Sequence, residues 1–223
     1  MGSALGEILP LALGIAISPI PIIAAILMLL SPKARGTSLG FLAGWVLGIV
    51  VAVVAFTLLS SLIPAADPDA AKPVAGVITI VLGLALLVLA FRQWRSRPRQ
   101  GEKAALPKWM SAIDTMTALR GLLLGFVLAA INPKNLLMGV AAGVAVGAGG
   151  LPVGDQVVVI VVFVVIAASS VAVPVVAYLV AGSRMHAPLE RLRGWLEQNN
   201  ATVMSVLLLV IGVVVIGKGL GNL

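Results

Sequence analysis

Apolar residues run along this chain in long blocks cut by short polar interruptions. They show neither the alternation of a half-buried strand nor the single stripe of a soluble helix. Stretches free of Asp, Glu, Lys and Arg cover 8–30, 36–66, 73–91, 121–133, 135–154, 156–183 and 198–217. A helix needs about 20 apolar residues to cross roughly 30 Å of hydrocarbon. The stretch 121–133 is too short to cross, and Lys134 alone divides it from the next, so the two join. The pattern predicts an all-α integral membrane protein with six transmembrane helices near 5–30, 36–63, 73–92, 119–149, 153–181 and 200–219. It forms a single membrane domain: a three-helix repeat over 1–92, a basic loop with an amphipathic helix over 93–118, and a second repeat over 119–223.

The spans fall into two halves of three. Three is odd, so the second half enters from the opposite side of the bilayer, as an inverted repeat does. Both halves carry the same interruption. Ser18-Pro19-Ile20-Pro21 lies about 13 residues into the first span, and Asn132-Pro133-Lys134-Asn135 about 13 into the fourth. Proline lacks the backbone donor and clashes with the preceding turn, so the first and fourth helices are expected to break at mid-depth. Backbone groups freed there survive only against protein or a wet cavity. Paired breaks in corresponding spans point to a transporter substrate site. Two independent proline kinks are the plainer alternative.

Lys134 sharpens that picture. A lysine at the bilayer centre costs about 2.5–3.5 kcal/mol on insertion scales, and no Asp or Glu is expected within the membrane spans to neutralise it. Freed carbonyls, Asn132, Asn135, Ser18, water or an anionic substrate must compensate. Lys134 can bind a headgroup, or it can cap a broken half-helix, and the two roles are compatible. Pro174, just after Ser169 and Ser170, is expected to kink the fifth span beside the same cavity. The two serines either line that cavity or bond back to their own helix. Gly36, Gly40, Gly44 and Gly48 fall four apart, as do Gly139, Gly143 and Gly147. Such strips let helix backbones approach closely; they serve packing within the chain, or sliding surfaces, with a homodimer seam as the alternative.

Composition removes whole classes of function. The chain has 223 residues, 61% hydrophobic and 10% charged, with mean hydropathy +1.16. A soluble domain carries about 25% charged residues, so a water-soluble globule and a disordered chain are both excluded. There is no cysteine, hence no disulfide, thiol redox chemistry or thiolate metal site, and the one histidine, His186, makes no metal cluster. No catalytic triad or carboxylate pair emerges, so neither an enzyme nor a cofactor is expected. The run 212–219 reads G-x-x-x-x-G-K-G, but it lacks the final Ser or Thr and sits in a span, so it is not a phosphate loop. The N-terminus has Glu7 and no Lys or Arg before its apolar run, unlike a signal peptide, and is expected to be retained.

The net charge is +7 and the pI near 10.6. Its distribution speaks for membrane topology rather than nucleic acid. Lys33 and Arg35; Arg92, Arg95, Arg97, Arg99, Lys103, Lys108 and Arg120; and Arg184, Arg191 and Arg193 share one side, while Lys72 and Lys218 hold the other with Glu7, Asp67, Asp69 and Asp155. The positive-inside rule places these basic loops in the cytoplasm and both termini outside, in a multi-pass membrane protein. Leu106, Trp109, Ile113 and Met116, and again Met185, Leu189, Leu192 and Leu196, recur at helical spacing. Both sets are expected to form short amphipathic helices on the cytoplasmic surface. They act as topological anchors or as a vestibule that collects headgroups.

The stretches ISPIPIIAAILMLLSPKARGTSLGFLAGWVLG (17–48) and AAINPKNLLMG (129–139), the exit FRQWRSRP (91–98) and the tail GVVVIGKGLGNL (212–223) resemble the mycobacterial peptidoglycolipid-addressing proteins. That family includes the sulfolipid-addressing and glycopeptidolipid-addressing proteins and is grouped with the lysine-exporter superfamily. The resemblance covers essentially the whole chain. It implies a plasma-membrane protein that moves a lipid or glycolipid toward the cell envelope, in association with a large lipid transporter of the resistance-nodulation-division type. It also implies substrate binding at Ser18, Pro19, Pro21, Asn132, Pro133, Lys134 and Asn135, to which the residue pattern adds Ser169 and Ser170. Distant relatives in thiol-redox transfer place cysteines near such breaks, and this chain has none. Export of a small, amino-acid-like solute, or an accessory scaffold for a larger lipid transporter, are the competing functions.

Overall fold

Proline placement decides where the helices of this chain stop. In the computed structural model, which describes residues 1–62, 73–97 and 108–221, the first span is two helices, α1 (Gly2–Ala16) and α2 (Pro19–Leu30), bent by 50°. The fourth is likewise two, α5 (Ala118–Ala130) and α6 (Pro133–Gly147), bent by 62°. Between and after them run α3 (Ala34–Ser61), α4 (Pro73–Arg95), α7 (Val153–Ala181) and α8 (His186–Gly221). These four are long and apolar enough to cross a membrane, and each bent pair qualifies as one more span, so up to six spans are present. Among the described residues there is no strand.

α3 and α7 each pack on the broken span of the other half, and α4 and α8 pack chiefly on each other. α3 lies along α5 and α6, α7 along α1 and α2, and α4 along α8. The glycine strips make these approaches possible. A Cβ on Gly44 would fall on the Leu122 carbonyl oxygen of α5, and one on Gly143 would lie 2.8 Å from the Thr57 nitrogen of α3. Gly212 and Gly219 serve the same end: a Cβ on Gly212 would lie 2.8 Å from Leu87 of α4, and one on Gly219 2.6 Å from Ile80. The buried core gathers around Phe41, Trp45 and Phe163, while Val165, Val173, Leu58 and Leu209 face outward, as lipid-facing positions of a membrane bundle do. α7 continues through Pro174 and ends at Gly182, whose φ of +57° suits glycine.

Several expectations need correction. The stripe from Met185 to Leu196 is no separate surface helix. Apart from Met185 it belongs to α8, which runs unbroken for 36 residues, about 54 Å at 1.5 Å per residue. Leu189 and Leu196 are buried in the core rather than turned to headgroups. The other stripe forms a short 3₁₀ segment, Lys108–Thr115, packed on α2, and its Ile113 is buried. A side chain finds apolar cover inside the bundle as readily as in the membrane, and helical spacing alone does not distinguish the two. Glu7 lies within α1, in its second turn, and Asp155 in the first turn of α7, so carboxylates do occupy the ends of two spans. Leu106, Arg99, Lys103, Asp67, Asp69 and Lys72 lie outside the described residues.

Candidate functional site

The two breaks meet, and the backbone chemistry of each explains the side chains found there. In an unbroken helix the Ser18 N–H would donate to the Gly14 carbonyl. Here it donates to Ala16 instead, at 2.8 Å. Pro19 has no N–H for the Ile15 carbonyl. Two carbonyls are thereby released in α1. The Lys134 ammonium takes the first, donating to Gly14 O at 2.6 Å, and the Ser18 hydroxyl takes the second, donating to Ile15 O at 2.6 Å. Lys134 Nζ also donates to Ser18 Oγ at 2.5 Å, so the hydroxyl links the amine to its own helix.

The second break is built the same way. Asn132 is the N-cap of α6, its side-chain oxygen accepting from the Lys134 N–H at 3.1 Å. Aligning Pro19 with Pro133 brings Gly14 onto Leu128. The Leu128 carbonyl, released from Asn132, accepts instead from Asn135 Nδ2 at 2.9 Å. The α2 start needs no such cap. Pro19 and Pro21 occupy its first and third positions, which removes two of the donors a helix N-terminus exposes. Ser18 is therefore free to turn back toward α1. Its hydroxyl also lies 3.5 Å from Asn135 Oδ1.

Lys134, Asn135 and Ser18 are buried, at 5, 1 and 3% exposure. Pro19 and Pro21 are buried, Asn132 is half-buried and Pro133 exposed. Among the described residues the one ion pair is Arg193 with Glu197, on α8 far along the chain from the breaks. Lys134 is thus held by a carbonyl and a hydroxyl, with no carboxylate within ion-pair distance among those residues. Two of its three N–H groups are used. The site is tightly walled: a Cβ on Gly14 would collide with Met138 of α6 and Ile211 of α8.

Ser169 and Ser170 part company. Ser169 donates to its own helix at Ile166 O, 2.7 Å, so it follows the back-bonding alternative. The Ser170 hydroxyl is buried without a partner, and so is Nε1 of Trp45 on α3. Both residues lie eleven positions from the ends of α7 and α3 that adjoin the Lys33 loop, about 17 Å by helical rise. Ser18 lies at nearly the same depth along α2. The sequence singled out neither Trp45 nor the Gly14 carbonyl. The first reads as one more apolar residue in a span; the second was available by counting four back from Ser18.

Two clefts flank this layer. One, of about 80 Å³, is lined by Glu7, Pro10, Ala141, Ala148 and Lys218 among others. There Pro10 leaves the Gly6 carbonyl without its helical donor, and Lys218 Nζ supplies one at 3.1 Å. The other, of about 640 Å³, opens at the basic end, where α2 and α7 finish and α3 and α5 begin. Among the described residues no group of three or more His, Cys, Asp or Glu side chains could hold a metal ion. A family model described as "Sap, sulfolipid-1-addressing protein" matches residues 8–221. No curated protein and no solved structure matches the chain.

Proposed function

From the premise that this chain belongs to the sulfolipid-1-addressing protein family, we propose that it translocates a lipid bearing an anionic, hydroxyl-rich headgroup across the plasma membrane. The headgroup binds where the two broken spans meet. Lys134 supplies the charge; Ser18, Asn132 and Asn135 supply hydrogen bonds; and Pro19, Pro21 and Pro133 keep the backbone open. Ser170 adds an unused hydroxyl in the same layer, and Ser169 shapes the α7 turn beside it. The acyl chains remain in the bilayer. No covalent chemistry is involved.

The observation that carries this reading is a buried ammonium at the junction of two bent spans, held by neutral oxygens only. A charge in that setting is costly to keep, and an anionic headgroup arriving there would neutralise it. The reciprocal packing of α3 and α7 on the opposite half's broken span supports an inverted repeat of the lysine-exporter kind, whose halves rock about the site. The clustering of Lys33, Arg35, Arg92, Arg95, Arg120, Arg184, Arg191 and Arg193 supports cytoplasmic basic loops with both termini outside. A lipid transporter of the resistance-nodulation-division type is the partner that would carry the lipid onward, and the chain works as a monomer or homodimer. The test is reconstitution: purified protein in liposomes should accelerate transbilayer movement of a labelled sulfated glycolipid over protein-free liposomes. Equal rates would defeat the proposal.

One observation favours a second reading. The smaller cleft, with Glu7 and Lys218 on its walls, suits a small zwitterion rather than a glycolipid. Under that reading the same liposomes would release a trapped amino acid and leave the lipid unmoved.

A further inference from the structure

The larger cleft lies about 17–20 Å from the Lys134 junction, measured along α2 and α5, and shares none of its residues. It is lined by Lys33, Arg35, Gly36, Thr37, Thr117 and Tyr178 among others, with no Asp or Glu in the lining. Lys33 and Arg35 are exposed, and neither forms an ion pair among the described residues. Its volume, about 640 Å³, falls within the roughly 300–1,000 Å³ of small-molecule sites.

Four helix ends meet there, the N-termini of α3 and α5 and the C-termini of α2 and α7, so their partial charges largely offset and the two basic side chains set the sign. The two side chains contribute full charges. α3 begins at Ala34 and α5 at Ala118, so the N-terminal ends of both helices open on the same space. They are close neighbours, because a Cβ on Gly36 would lie 3.9 Å from the Ala118 Cβ. Helix N-termini present partial positive charge and N–H groups with no partner in their own helix. Of the serine and threonine hydroxyls in the lining, those of Ser31 and Thr37 donate to their own backbone, whereas that of Thr117 accepts from Arg120 N at 3.4 Å and keeps its proton available. Tyr178, stacked on His186 with ring centroids 5.7 Å apart, stands at the α7 side.

We infer that this cleft is a separate binding site for a tetrahedral oxyanion, a sulfate or phosphate ester, and that it receives the anionic headgroup before the headgroup reaches the buried junction. The oxyanion chemistry stands on the cleft itself; a lipid as its bearer rests on the translocation reading. An arginine and a lysine at the start of α3, with the start of α5 beside them, favour an anion with several oxygens over a carboxylate, because each donor finds its own acceptor.

Binding to the full chain in phosphatidylcholine nanodiscs tests this, with a sulfated galactosylceramide, uncharged galactosylceramide and inorganic sulfate as probes. The sulfated lipid should bind at least tenfold more tightly than the uncharged one, and added salt should weaken it. The double variant Lys33→Gln/Arg35→Gln should lose that preference. So should Gly36→Glu, whose Cβ has room and whose carboxylate enters the cleft. Competition by inorganic sulfate marks a site for the free oxyanion as well; absence of competition marks a site for the lipid ester. Arg92→Gln should keep the preference, because that exposed arginine lies outside both the cleft and the Lys134 junction. Equal binding of the two lipids to the wild type, or an undiminished preference in both cleft variants, overturns the inference even where liposomes show translocation. A preference retained in liposomes that move no lipid leaves the cleft standing and removes the translocation reading instead.

Discussion

The amine of Lys134 donates to the carbonyl oxygen of Gly14 at 2.6 Å and so ties the start of one broken span's second half to the end of the other's first. Each partner exists because of a proline. Gly14 is released by the turn before Pro19, and Lys134 is the second residue of a helix that Pro133 begins. The contact closes the bundle at mid-depth and places a charge there in one stroke.

Ser18 should be the most sensitive small side chain. Its hydroxyl accepts from Lys134 and donates to Ile15 O. Ser18→Ala strips a partner from both, and each buried unsatisfied group costs about 1–3 kcal/mol. Thermal unfolding in detergent should show a clear loss of stability. An unchanged midpoint would mean that these bonds do not hold the break.

Lys134→Met should behave differently. It orphans the Gly14 carbonyl at about 1–3 kcal/mol, but it also removes a charge whose burial costs a similar or larger amount, about 2.5–3.5 kcal/mol on insertion scales. The two effects roughly cancel, so the variant should unfold at or slightly above the wild-type midpoint. A large drop would show that the ammonium is a structural clamp first.

Ser170→Ala separates storage from use. The hydroxyl is buried with no partner, so its removal should leave stability unchanged or raise it by about 1 kcal/mol. Transport of a hydroxyl-rich headgroup should nevertheless slow. Ser169→Ala, which loses only a bond to its own helix, should leave transport near wild type. Equal transport rates for both variants would remove Ser170 from the site.

Gly44→Val should prevent normal packing of α3 on α5, because even a Cβ there meets the Leu122 carbonyl. Overpacking costs about 1–3 kcal/mol or more, and backbone on backbone has little room to relax. Gly217→Ala, with open space around it, serves as the neutral control. Folded yield and unfolding temperature report the difference.

The spans and both breaks were legible because charge and proline are rare in an apolar chain, and each marks a boundary. Lys134 stood out for the same reason. What could not be read was direction. The Leu189 and Leu196 stripe has helical spacing whether it faces lipid or protein, and it packs inward. The continuity of α8 was hidden as well. Polar residues between Glu197 and Thr202 resemble a loop in composition, yet no proline interrupts them and the helix runs on. Trp45 carried no signal, since an unpartnered indole N–H is a property of its surroundings. The Lys33 cleft required four helix ends, distant in sequence, to be brought to one place.

The central claim is that the Lys134 ammonium receives the lipid headgroup. The initial rate of sulfated-glycolipid translocation in liposomes containing equal amounts of folded wild type or Lys134→Met measures it most directly. The account predicts at least a tenfold loss in the variant while its unfolding temperature holds. Wild-type translocation by Lys134→Met would contradict it.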